Sequence, residues 1–451
     1  MSNVKDNRLF GTDGIRSIYG QYPLDRVSVV KLGNAVGRVL WGSRIVIGRD
    51  TRQSSETIMR LLSSGISGMS AKWDISDCGV IPTPGLSFIT DHDDFDFGIM
   101  ITASHNPWTD NGIKIFKGDG EKIPVRLEQE LEEVFFNIGE PVELEAAVEP
   151  VGDGARGIYR NFLTNVASQL DPIKVEEFKI VLDCANGAVF AEAPAIFKQA
   201  GFVPVVINNA PDGRNINRGC GSTDTAMLLR RVKEERADLG IAFDGDGDRV
   251  IMADPEGNTL DGDHTLYLIA RYFLETDHDF NKVAVGTVMG NLGLEKALDQ
   301  MGVQYARTPV GDKYVYEEMK KQQSILGGEQ SGHTILRAFQ KTGDGILTAL
   351  FFLRALFHFG MTPGEVFRNL HLYPQVLKNI PIREKRDLDQ WDQLNDMIRE
   401  FDARHGMNSR VLIRYSGTEP RIRVMLESEE QAVIHEYMRK FEYLIKLAIG
   451  K

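Results

Sequence analysis

Short apolar runs alternate with amphipathic stretches along most of this chain. A β-branched run, a turn with Gly or Ser and a helical stretch follow one another repeatedly, which is typical of βαβ units in parallel sheets. The predicted elements are strands at 44–48, 97–101, 178–183, 204–207, 239–243, 283–288, 304–307 and near 325, a hairpin at 250–260, and helices at 54–69, 192–201, 225–236, 291–301, 313–322 and 345–359. They fall into three successive blocks, each of which predicts an α/β unit.

The end of the chain has a different pattern. After Pro374 it predicts a strand, a helix at 391–404, two strands within 411–427 and a helix at 431–447, which together make a small α+β unit. The segment 362–377, which contains two prolines, is predicted as a linker. The expected fold is therefore α/β, with three similar mixed α/β domains around a cleft and a smaller C-terminal α+β domain. The predicted domain boundaries are 1–153, 154–254, 255–370 and 371–451.

Charge and composition narrow the classes of function. The chain has 451 residues, with 52 Lys+Arg against 64 Asp+Glu and a formal charge of −12. An acidic chain without a basic stretch argues against a nucleic-acid or membrane partner. The three cysteines form no CxxC pair, and the first residues lack the apolar core of a signal peptide. The most apolar stretch, 345–359, is shorter than the roughly 20 residues of a membrane span, so we expect a buried helix and a cytoplasmic protein.

An acidic motif, Asp244-Gly-Asp-Gly-Asp-Arg249, directly follows a run predicted as a buried strand. Ligands usually bind at the carboxyl ends of strands in open α/β sheets. Three crowded carboxylates repel one another unless a cation neutralises them, and oxygen ligands suit a hard ion such as Mg²⁺. A calcium-binding helix–loop–helix site is excluded, because Arg249 stands where that loop needs glycine and Pro255 where it needs glutamate. The motif predicts Mg²⁺ at Asp244, Asp246 and Asp248, with a solvated acidic turn as the alternative.

A serine motif, Thr102-Ala-Ser-His-Asn-Pro107, follows a second predicted strand. Ser104 is a candidate nucleophile that does not lie in a GxSxG turn. Adjacent side chains on an extended chain diverge, so we expect no serine–histidine pair between Ser104 and His105. Phosphorylation of Ser104 fits better, because a phosphoserine beside three aspartates needs Mg²⁺ and adds an oxygen ligand for it. The alternative is a simple turn with Asn and Pro as its turn residues.

A glycine-rich segment at 327–333 carries side chains suited to a sugar. Glu329, Ser331 and His333 alternate with other residues there, so a carboxylate and a hydroxyl can hold vicinal sugar hydroxyls while His333 serves as a general acid. The alternative is a glycine-rich connector with an incidental histidine. Two shorter pieces add one cation each: Arg16 in FGTDGIR and Lys114 in NGIK. For each of these, the alternative is an ordinary surface cation.

The segment Arg414-Tyr-Ser-Gly-Thr-Glu-Pro420 resembles a phosphate cradle. Arg421 and Arg423 follow it closely. Backbone N–H groups, two hydroxyls and arginines together can hold a phosphate without a Walker motif. The alternative is an ordinary hairpin turn with solvent-exposed arginines.

Six motifs together resemble those of the α-D-phosphohexomutase family, in the family's order and along the whole chain: FGTDGIR, TASHNP, NGIK, DGDGDR, GGEQSGH and RYSGTEP. The resemblance implies three similar α/β domains with a smaller fourth one, an isomerase activity on a sugar phosphate and, in many members, a homodimer. The glycine-rich segment 327–333, called the sugar loop below, and the opening LFGTDGIR are most similar to members that interconvert glucosamine 6-phosphate and glucosamine 1-phosphate. The phosphomannomutase/phosphoglucomutase members are the alternative. Tyr415 and Trp108 depart from the residues usual in the family.

The resemblance also implies individual roles. It implies an activating phosphate on Ser104 and one Mg²⁺ held by this group with the three aspartates. The phosphoserine then gives its phosphoryl group to the sugar, a 1,6-bisphosphate turns end for end, and Ser104 takes back the other phosphoryl group. The implied catalytic residues are Ser104, Arg16, Lys114, Arg249 and His333, and the implied substrate-binding residues are Glu329, Ser331, Arg414, Ser416, Gly417, Thr418 and Arg423.

Two rival functions fit part of the sequence. A haloacid-dehalogenase-like phosphatase also places aspartates after a buried strand, but there an aspartate is the nucleophile, so a phosphate trapped on Asp244 rather than Ser104 would favour it. A regulator that binds a sugar phosphate without turning it over is the second rival. The presence of Ser104, Lys114 and His333 argues against this regulator.

Overall fold

The computed structural model of the chain describes residues 8–69, 72–416 and 420–450. They form two compact units, one within 8–289 and 303–368 and the other within 290–302 and 369–450.

The first sheet of the larger unit is mixed and six-stranded. Its elements in chain order are β1 (Ile15–Ile18), α1 (Arg26–Val39), β2 (Arg44–Arg49), α2 (Ser55–Met69), β3 (Asp74–Val80), α3 (Thr83–His92), β4 (Phe97–Ile101), β5 (Asp110–Lys117), α4 (Val125–Asn137) and β6 (Val148–Pro150). The strand order is β1-β5-β4-β2-β3-β6, and β5 pairs antiparallel with both β4 and β1. The parallel strands β4, β2 and β3 are joined through helices, as such strands require.

The second sheet has five strands in the order β11-β10-β9-β7-β8. This part of the chain contains α5 (Asp153–Ala167), α6 (Pro172–Glu177), β7 (Ile180–Asp183), α7 (Glu192–Gln199), β8 (Val205–Ile207), α8 (Ala226–Glu235), β9 (Leu239–Phe243), β10 (Val250–Ala253) and β11 (Thr259–Leu260). Every residue of β9 is buried, and the acidic motif begins at the next residue. The predicted hairpin at 250–260 is confirmed, since β10 pairs antiparallel with β11.

The third sheet has the order β13-β12-β14-β15. This part of the chain contains α9 (Gly262–Thr276), β12 (Val283–Thr287), α10 (Leu292–Gln300), β13 (Gln304–Thr308), α11 (Asp312–Gln322), β14 (Leu326–Gly328), β15 (Thr334–Leu336), α12 (Gly345–Phe359) and α13 (Pro363–Asn369). Helix α10 belongs to the smaller unit. The sugar loop lies between β14 and β15, which pair antiparallel. Helix α12 is buried along most of its length, as its apolar sequence predicts.

The smaller unit contains the fourth sheet, which is antiparallel in the order β16-β18-β17. Its elements are β16 (Gln375–Pro381), α14 (Asp392–His405), β17 (Ser409–Tyr415), β18 (Arg421–Ser428) and α15 (Gln431–Ile449). Apolar residues from β16, β18, α14 and α15 share one core. The predicted α+β unit is confirmed.

The linker predicted at 362–377 is wrong in part. Helix α13 begins at Pro363 and strand β16 begins at Gln375, so much of the segment has regular structure. Proline is tolerated in the first turn of a helix, because the N–H it lacks has no partner there in any case. The proline that suggested a linker therefore marks the start of a helix.

Among the described residues, no single helix is both long and apolar enough to cross a membrane. The pair formed by α12 and α13, bent by 87° at its break, meets the length and composition only when the two helices are taken together.

Candidate active site

The Ser104 turn lies at the carboxyl end of β4. Ser104 is 1% exposed and has a φ of +49°, which is uncommon for a residue other than glycine. Its N–H donates to Oγ1 of Thr102 at 2.9 Å, and the Thr102 hydroxyl donates to Oδ2 of Asp50 at 2.7 Å. A left-handed conformation at such a residue costs on the order of 1–3 kcal/mol and persists only where its surroundings enforce it.

Ser104 reaches the acidic motif of the second sheet. Its hydroxyl donates to Oδ2 of Asp244 at 2.7 Å. Asp244, Asp246 and Asp248 are all buried, and they offer one carboxylate oxygen each within 4.8 Å of the others. Burial, followed by the charges of the other two aspartates, raises the pKa of Asp244 well above its usual value. The predicted grouping of a serine with three aspartates is therefore present.

The donor set of this cluster fits a hard divalent cation. Oδ1 of Asp246 and Oδ1 of Asp248 are buried and accept no hydrogen bond among the described residues. The other oxygen of Asp246 accepts from the Thr83 hydroxyl at 2.6 Å, and the Thr83 N–H donates to the Asp246 carbonyl at 2.9 Å. Buried carboxylate oxygens without donors are costly unless they meet a cation. The acidic triad can thus bind a metal ion.

Lys114 is the cation nearest to this cluster. It lies on β5, is 2% exposed, and its Nζ is 2.9 Å from Oδ2 of Asp246 and 3.1 Å from Oδ2 of Asp248. Oδ1 of Asp13 is 3.4 Å from the same nitrogen. Burial favours the neutral amine, but the three carboxylates outweigh it and raise the pKa of Lys114 well above its usual value. Because Lys114 is buried, the alternative that it is an ordinary surface cation is excluded.

Arg16 approaches the same region from β1. Its guanidinium pairs with Asp13 and donates from Nη1 to the Thr102 carbonyl at 2.9 Å. Asp13 also accepts from Lys122 at 2.8 Å, and Lys122 in turn is 2.6 Å from Asp312. Arg16 thus contacts the segment that leads directly into Ser104.

Arg249 and His333 face each other in an isolated antiparallel bridge between the acidic motif and the sugar loop. The Arg249 N–H donates to Oδ1 of Asp244 at 3.2 Å. Nδ1 of His333 is 3.6 Å from Oδ1 of Asp248, and Nε2 accepts from the Gly343 N–H at 3.1 Å. Burial lowers the pKa of His333, but Asp248 and the other nearby carboxylates raise it above the usual value. A second proton would have to go on Nε2, where it would displace the Gly343 hydrogen bond.

The expectation that Ser104 and His105 diverge is wrong. The Ser104 Oγ and His105 Nδ1 are 3.4 Å apart, because Ser104 is left-handed rather than extended. Burial, followed by the charge of Arg249, lowers the pKa of His105 to about 4, so this ring is neutral at pH 7. The shorter partner of the Ser104 hydroxyl is nevertheless Asp244.

A cavity of about 460 Å³ opens beside these groups. Glu329 and Ser331 of the sugar loop line it; Glu329 is half-buried and accepts from the Gly311 N–H at 3.2 Å, whereas Ser331 is exposed. Burial raises the pKa of Glu329 above its usual value. The residues lining the cavity are Thr12, Asp13, Arg16, His105, Asn106, Asp248, Arg249, Thr287, Met289, Val310, Gly311, Asp312, Glu329, Gln330, Ser331 and His333.

The predicted phosphate residues belong to the smaller unit. Arg414 on β17 lies directly opposite Arg423 on β18, and Nη2 of Arg423 is 3.5 Å from the Ser416 hydroxyl. Burial and the charge of Arg423 lower the pKa of Arg414. Nε of Arg423 is buried and donates no hydrogen bond among the described residues. Like charges opposite each other on neighbouring strands are unfavourable without an anion. Gly417 and Thr418, also predicted here, lie outside the described residues.

Two departures from the family pattern have structural partners. The Tyr415 hydroxyl exchanges two 2.8 Å hydrogen bonds with the Arg386 backbone, accepting from its N–H and donating to its carbonyl. The Trp108 ring lies under the Arg214 guanidinium, whose central carbon is 5.4 Å from the ring centroid. Neither side chain is among those that line the 460 Å³ cavity.

Asp13, Thr83 and Lys122 support the site but were not predicted from the sequence. Asp13 stands three positions before Arg16 in the FGTDGIR motif, so an ion pair between the two residues could have been predicted from the sequence. Thr83 follows the parallel strand β3 in the segment Ile81-Pro-Thr-Pro84, and ligands usually bind at the carboxyl ends of such strands. Lys122 carries no signal in the sequence, because its two partners are distant in the chain.

Comparison with known proteins identifies the class of protein. Domain models of phosphoglucomutase/phosphomannomutase match in order: alpha/beta/alpha domain I at residues 7–141, domain II at 158–257, domain III at 261–373 and the C-terminal domain at 377–442. The chain therefore belongs to the phosphoglucomutase/phosphomannomutase family and is an isomerase of the mutase type.

Relatives that match along the full length of the chain are named phosphoglucosamine mutase. A phosphoglucosamine mutase of Koribacter versatilis is 40% identical over 456 residues, covering 98% of this chain and 97% of that protein. A phosphoglucosamine mutase of Enterobacter sp. (strain 638) is 41% identical over 454 residues, covering 99% and 100%.

Solved structures share the fold. A phosphoglucomutase/phosphomannomutase family protein from Burkholderia thailandensis superposes with a TM-score of 0.80 at 22% identity, covering 99% of this chain and 100% of that one. An N-acetylphosphoglucosamine mutase of Aspergillus fumigatus, solved with GlcNAc-6P and magnesium, has a TM-score of 0.67 at 17% identity, covering 98% and 96%. The predicted α/β fold with a smaller C-terminal domain is confirmed.

Proposed function

We propose that the chain interconverts glucosamine 6-phosphate and glucosamine 1-phosphate through a phosphorylated Ser104 and a 1,6-bisphosphate. The observation that carries the proposal is the 2.7 Å contact between the Ser104 hydroxyl and the buried aspartate triad, beside a cavity large enough for a sugar phosphate. Full-length relatives named phosphoglucosamine mutase support the choice of sugar.

In the first transfer, the bond between phosphorus and Oγ of phosphorylated Ser104 breaks, and a bond forms from phosphorus to the C1 oxygen of glucosamine 6-phosphate. The C1 hydroxyl gives up its proton, and the product is the 1,6-bisphosphate with a free Ser104. In the second transfer, after the sugar has turned, Oγ of Ser104 takes the phosphoryl group from the C6 oxygen. That oxygen regains a proton, which leaves glucosamine 1-phosphate and a phosphorylated serine.

The cations around Ser104 would neutralise the charge of the transferred group. We assign this role to Lys114 and Arg16, and we assign to Arg249 the orientation of the reacting oxygens beside the aspartate triad. Phosphoryl transfer depends mainly on such positioning and charge stabilisation. Asp244, Asp246, Asp248 and the phosphoserine would hold one Mg²⁺, which when bound supplies positive charge to the phosphoryl oxygens.

His333 and Lys114 are the proposed proton-transfer groups. Lys114 has three carboxylate neighbours that favour its ammonium form, so it suits donation of a hydrogen bond to the oxygen that gains or loses a proton. His333 has one ring nitrogen directed at Asp248 and the other at the Gly343 N–H, an arrangement that fixes the orientation of its ring. We assign to His333 the acceptance of the sugar hydroxyl proton, which would go on Nε2 in place of the hydrogen bond from Gly343.

The sugar loop and the segment 414–423 would hold the parts of the substrate that do not react. Glu329 and Ser331 line the cavity with a carboxylate and a hydroxyl, which suit sugar hydroxyls. Arg414, Ser416, Gly417, Thr418 and Arg423 are the proposed clamp for the non-reacting phosphate. The facing guanidinium groups of Arg414 and Arg423 support this part, since burial and the charge of Arg423 lower the pKa of Arg414 and an anion would offset that charge.

A phosphomannomutase/phosphoglucomutase activity is the second candidate, because the matched domain models carry that name. Comparing kcat/KM for glucosamine 6-phosphate, glucose 6-phosphate and mannose 6-phosphate on the phosphorylated enzyme with Mg²⁺ decides between them. We expect glucosamine 6-phosphate to be preferred. A clear preference for mannose or glucose 6-phosphate would replace our proposal with the second candidate.

A homodimer and a cytoplasmic location stay predictions from the sequence, as do the four domain boundaries. Light scattering on the purified chain tests the first of these.

A further inference from the structure

Three parts of the larger unit meet at the carbonyl oxygen of Ser104. Nη2 of Arg52 donates to it at 2.9 Å, and Nδ2 of Asn217 donates to it at 2.8 Å. The backbone of Gly245, in the acidic motif, approaches so closely that a Cβ there would lie 2.6 Å from the same oxygen. The peptide that follows Ser104 is therefore held in one orientation from three sides.

Arg52 and Asn217 also share a second acceptor. Both donate to the Asn106 carbonyl, Arg52 at 2.9 Å and Asn217 at 3.1 Å. Arg52 is anchored within the first sheet's domain, because its Nε pairs with the buried Asp50 at 2.8 Å. Asn217 comes from the second sheet's domain and has a left-handed φ of +56°, with its N–H bonded to the Ala185 carbonyl at 2.9 Å.

The two donors act on a strained residue. A serine with a φ of +49° relaxes toward negative φ unless its neighbouring peptides are fixed. Rotation about Ser104 would turn its carbonyl away from Arg52 and Asn217 and carry Oγ away from Asp244. A carbonyl that loses its hydrogen bonds in a buried site is left unpaired, which is unfavourable.

We propose that Asn217 is a positioning residue for the reaction: by donating to the carbonyls of Ser104 and Asn106, it keeps Ser104 left-handed and its Oγ on the aspartate triad. Arg52 holds the turn from its own domain, and Asn217 makes the turn depend on the second domain, which supplies the aspartates. The serine and the aspartates are thus aligned by the same loop contact. This inference rests on the proposed function, because it concerns the residue that carries the transferred phosphoryl group.

Asn217→Asp is the sharpest test, because it changes the donor amide into a carboxylate of the same shape. Aspartate tolerates the left-handed conformation about as well as asparagine, so the backbone preference is kept. Asn217→Ala removes the contact without adding a charge. Asn208→Ala is the matched control: Asn208 is also left-handed, at φ +50°, in the same domain, and its side chain contacts Met227 and Asp183 instead of the Ser104 turn.

The variants are compared by steady-state kinetics with glucosamine 6-phosphate and by crystallography. For Asn217→Asp and Asn217→Ala we expect kcat to fall on the order of 10- to 100-fold with KM little changed, as a reacting group displaced by about 1 Å would give. Asn208→Ala should keep the wild-type kcat. In a crystal structure of Asn217→Asp, Ser104 should leave the positive-φ region, and its Oγ should move away from Asp244.

Two results would overturn the inference: wild-type kcat in Asn217→Asp, or an unchanged Ser104 φ and Oγ–Asp244 distance in its structure. The crystal structure of Asn217→Asp shows the position of Ser104 whether or not the protein turns over substrate. A wild-type protein without mutase activity would therefore contradict the proposed function, and an unmoved Ser104 would contradict the role of Asn217.

Discussion

The hydroxyl of Ser104 donates a 2.7 Å hydrogen bond to Oδ2 of Asp244, although 140 positions separate the two residues in the chain. Ser104 follows β4 of the first sheet and Asp244 follows β9 of the second. The contact therefore joins the carboxyl ends of strands from two different sheets, where ligands of α/β proteins usually bind. The proposed chemistry depends on this junction.

Lys114→Ala should lower kcat roughly 100- to 1,000-fold, because it removes a buried positive charge aimed at the site of phosphoryl transfer. The effect on KM should be smaller, since Lys114 contacts the aspartates rather than the proposed sugar loop. Lys117→Ala is the matched control. Lys117 ends the same strand but pairs with Asp119 and Glu121. Equal losses in the two variants would argue against a specific role for Lys114.

Asp246→Asn should abolish the stabilisation of the protein by Mg²⁺. A ligand that binds only the folded chain stabilises it by about 2.7 kcal/mol at a concentration one hundred times its Kd. Thermal denaturation with Mg²⁺ and after chelation measures this effect without any need for turnover. We expect the Tm of the wild type, and of the exposed control Asp224→Asn, to rise with Mg²⁺. A rise of the same size in Asp246→Asn would place the ion elsewhere.

Arg423→Ala should raise KM for the sugar phosphate more than it lowers kcat, because the proposed clamp holds a phosphate that does not react. A charged hydrogen bond is worth about 1.5–3 kcal/mol, so we expect KM to rise roughly 10- to 100-fold. Arg404→Ala, an exposed arginine on α14 that pairs with Glu400, is the control. Unchanged KM in Arg423→Ala would remove this residue from the clamp.

Asp344→Asn should make the protein more stable at neutral pH. Burial raises the pKa of Asp344 to about 6 from an ordinary 3.8, so between these values the folded chain holds a proton that the unfolded chain has lost. The stabilising contribution of protonated Asp344 is complete below about pH 4 and is lost as the pH rises through about 6. Asparagine cannot ionise, and its side-chain oxygen can still cap α12 by accepting from the Leu347 N–H.

Urea denaturation at about pH 5 and about pH 7 gives the free energy of unfolding of Asp344→Asn and of the wild type. The difference between the folded and unfolded pKa of Asp344 corresponds to a gain in unfolding free energy of at most about 3 kcal/mol for Asp344→Asn at pH 7. The gain should be smaller at about pH 5. Asp171→Asn makes the same change at the exposed cap of α6 and is the matched control. A constant difference between Asp344→Asn and the wild type at both pH values would contradict the shift.

Much of the fold was predictable because buried strands and amphipathic helices leave a strong pattern. The strand before Asp244 and the apolar helix α12 are examples, since both are apolar along their length. Strands β1 and β5 were missed. Both strands contain polar residues of a motif, which weakens the apolar pattern of a strand. They also pair antiparallel with each other across a long stretch of sequence, and a local pattern does not show such a partner.

The candidate site was predictable only as separate motifs. The aspartate triad and Ser104 each appear as polar segments after apolar strands, and the family resemblance joins them. The support around them was not predictable, because it depends on tertiary geometry. Arg52 and Asn217 bind backbone carbonyls, which leave no mark in the sequence, and the 3.4 Å approach of His105 depends on the sign of one φ angle.

The central claim is that phosphorylated Ser104 is the group that reacts. Enzyme carrying radiolabelled phosphate, introduced by incubation with labelled glucosamine 1,6-bisphosphate, is mixed with unlabelled glucosamine 6-phosphate and quenched within one turnover. We predict that the label leaves Ser104 and appears in the sugar bisphosphate and monophosphate, and that Ser104→Ala neither takes up label nor turns over. Product formed while the label stays on Ser104, or label recovered on Asp244, would contradict the account.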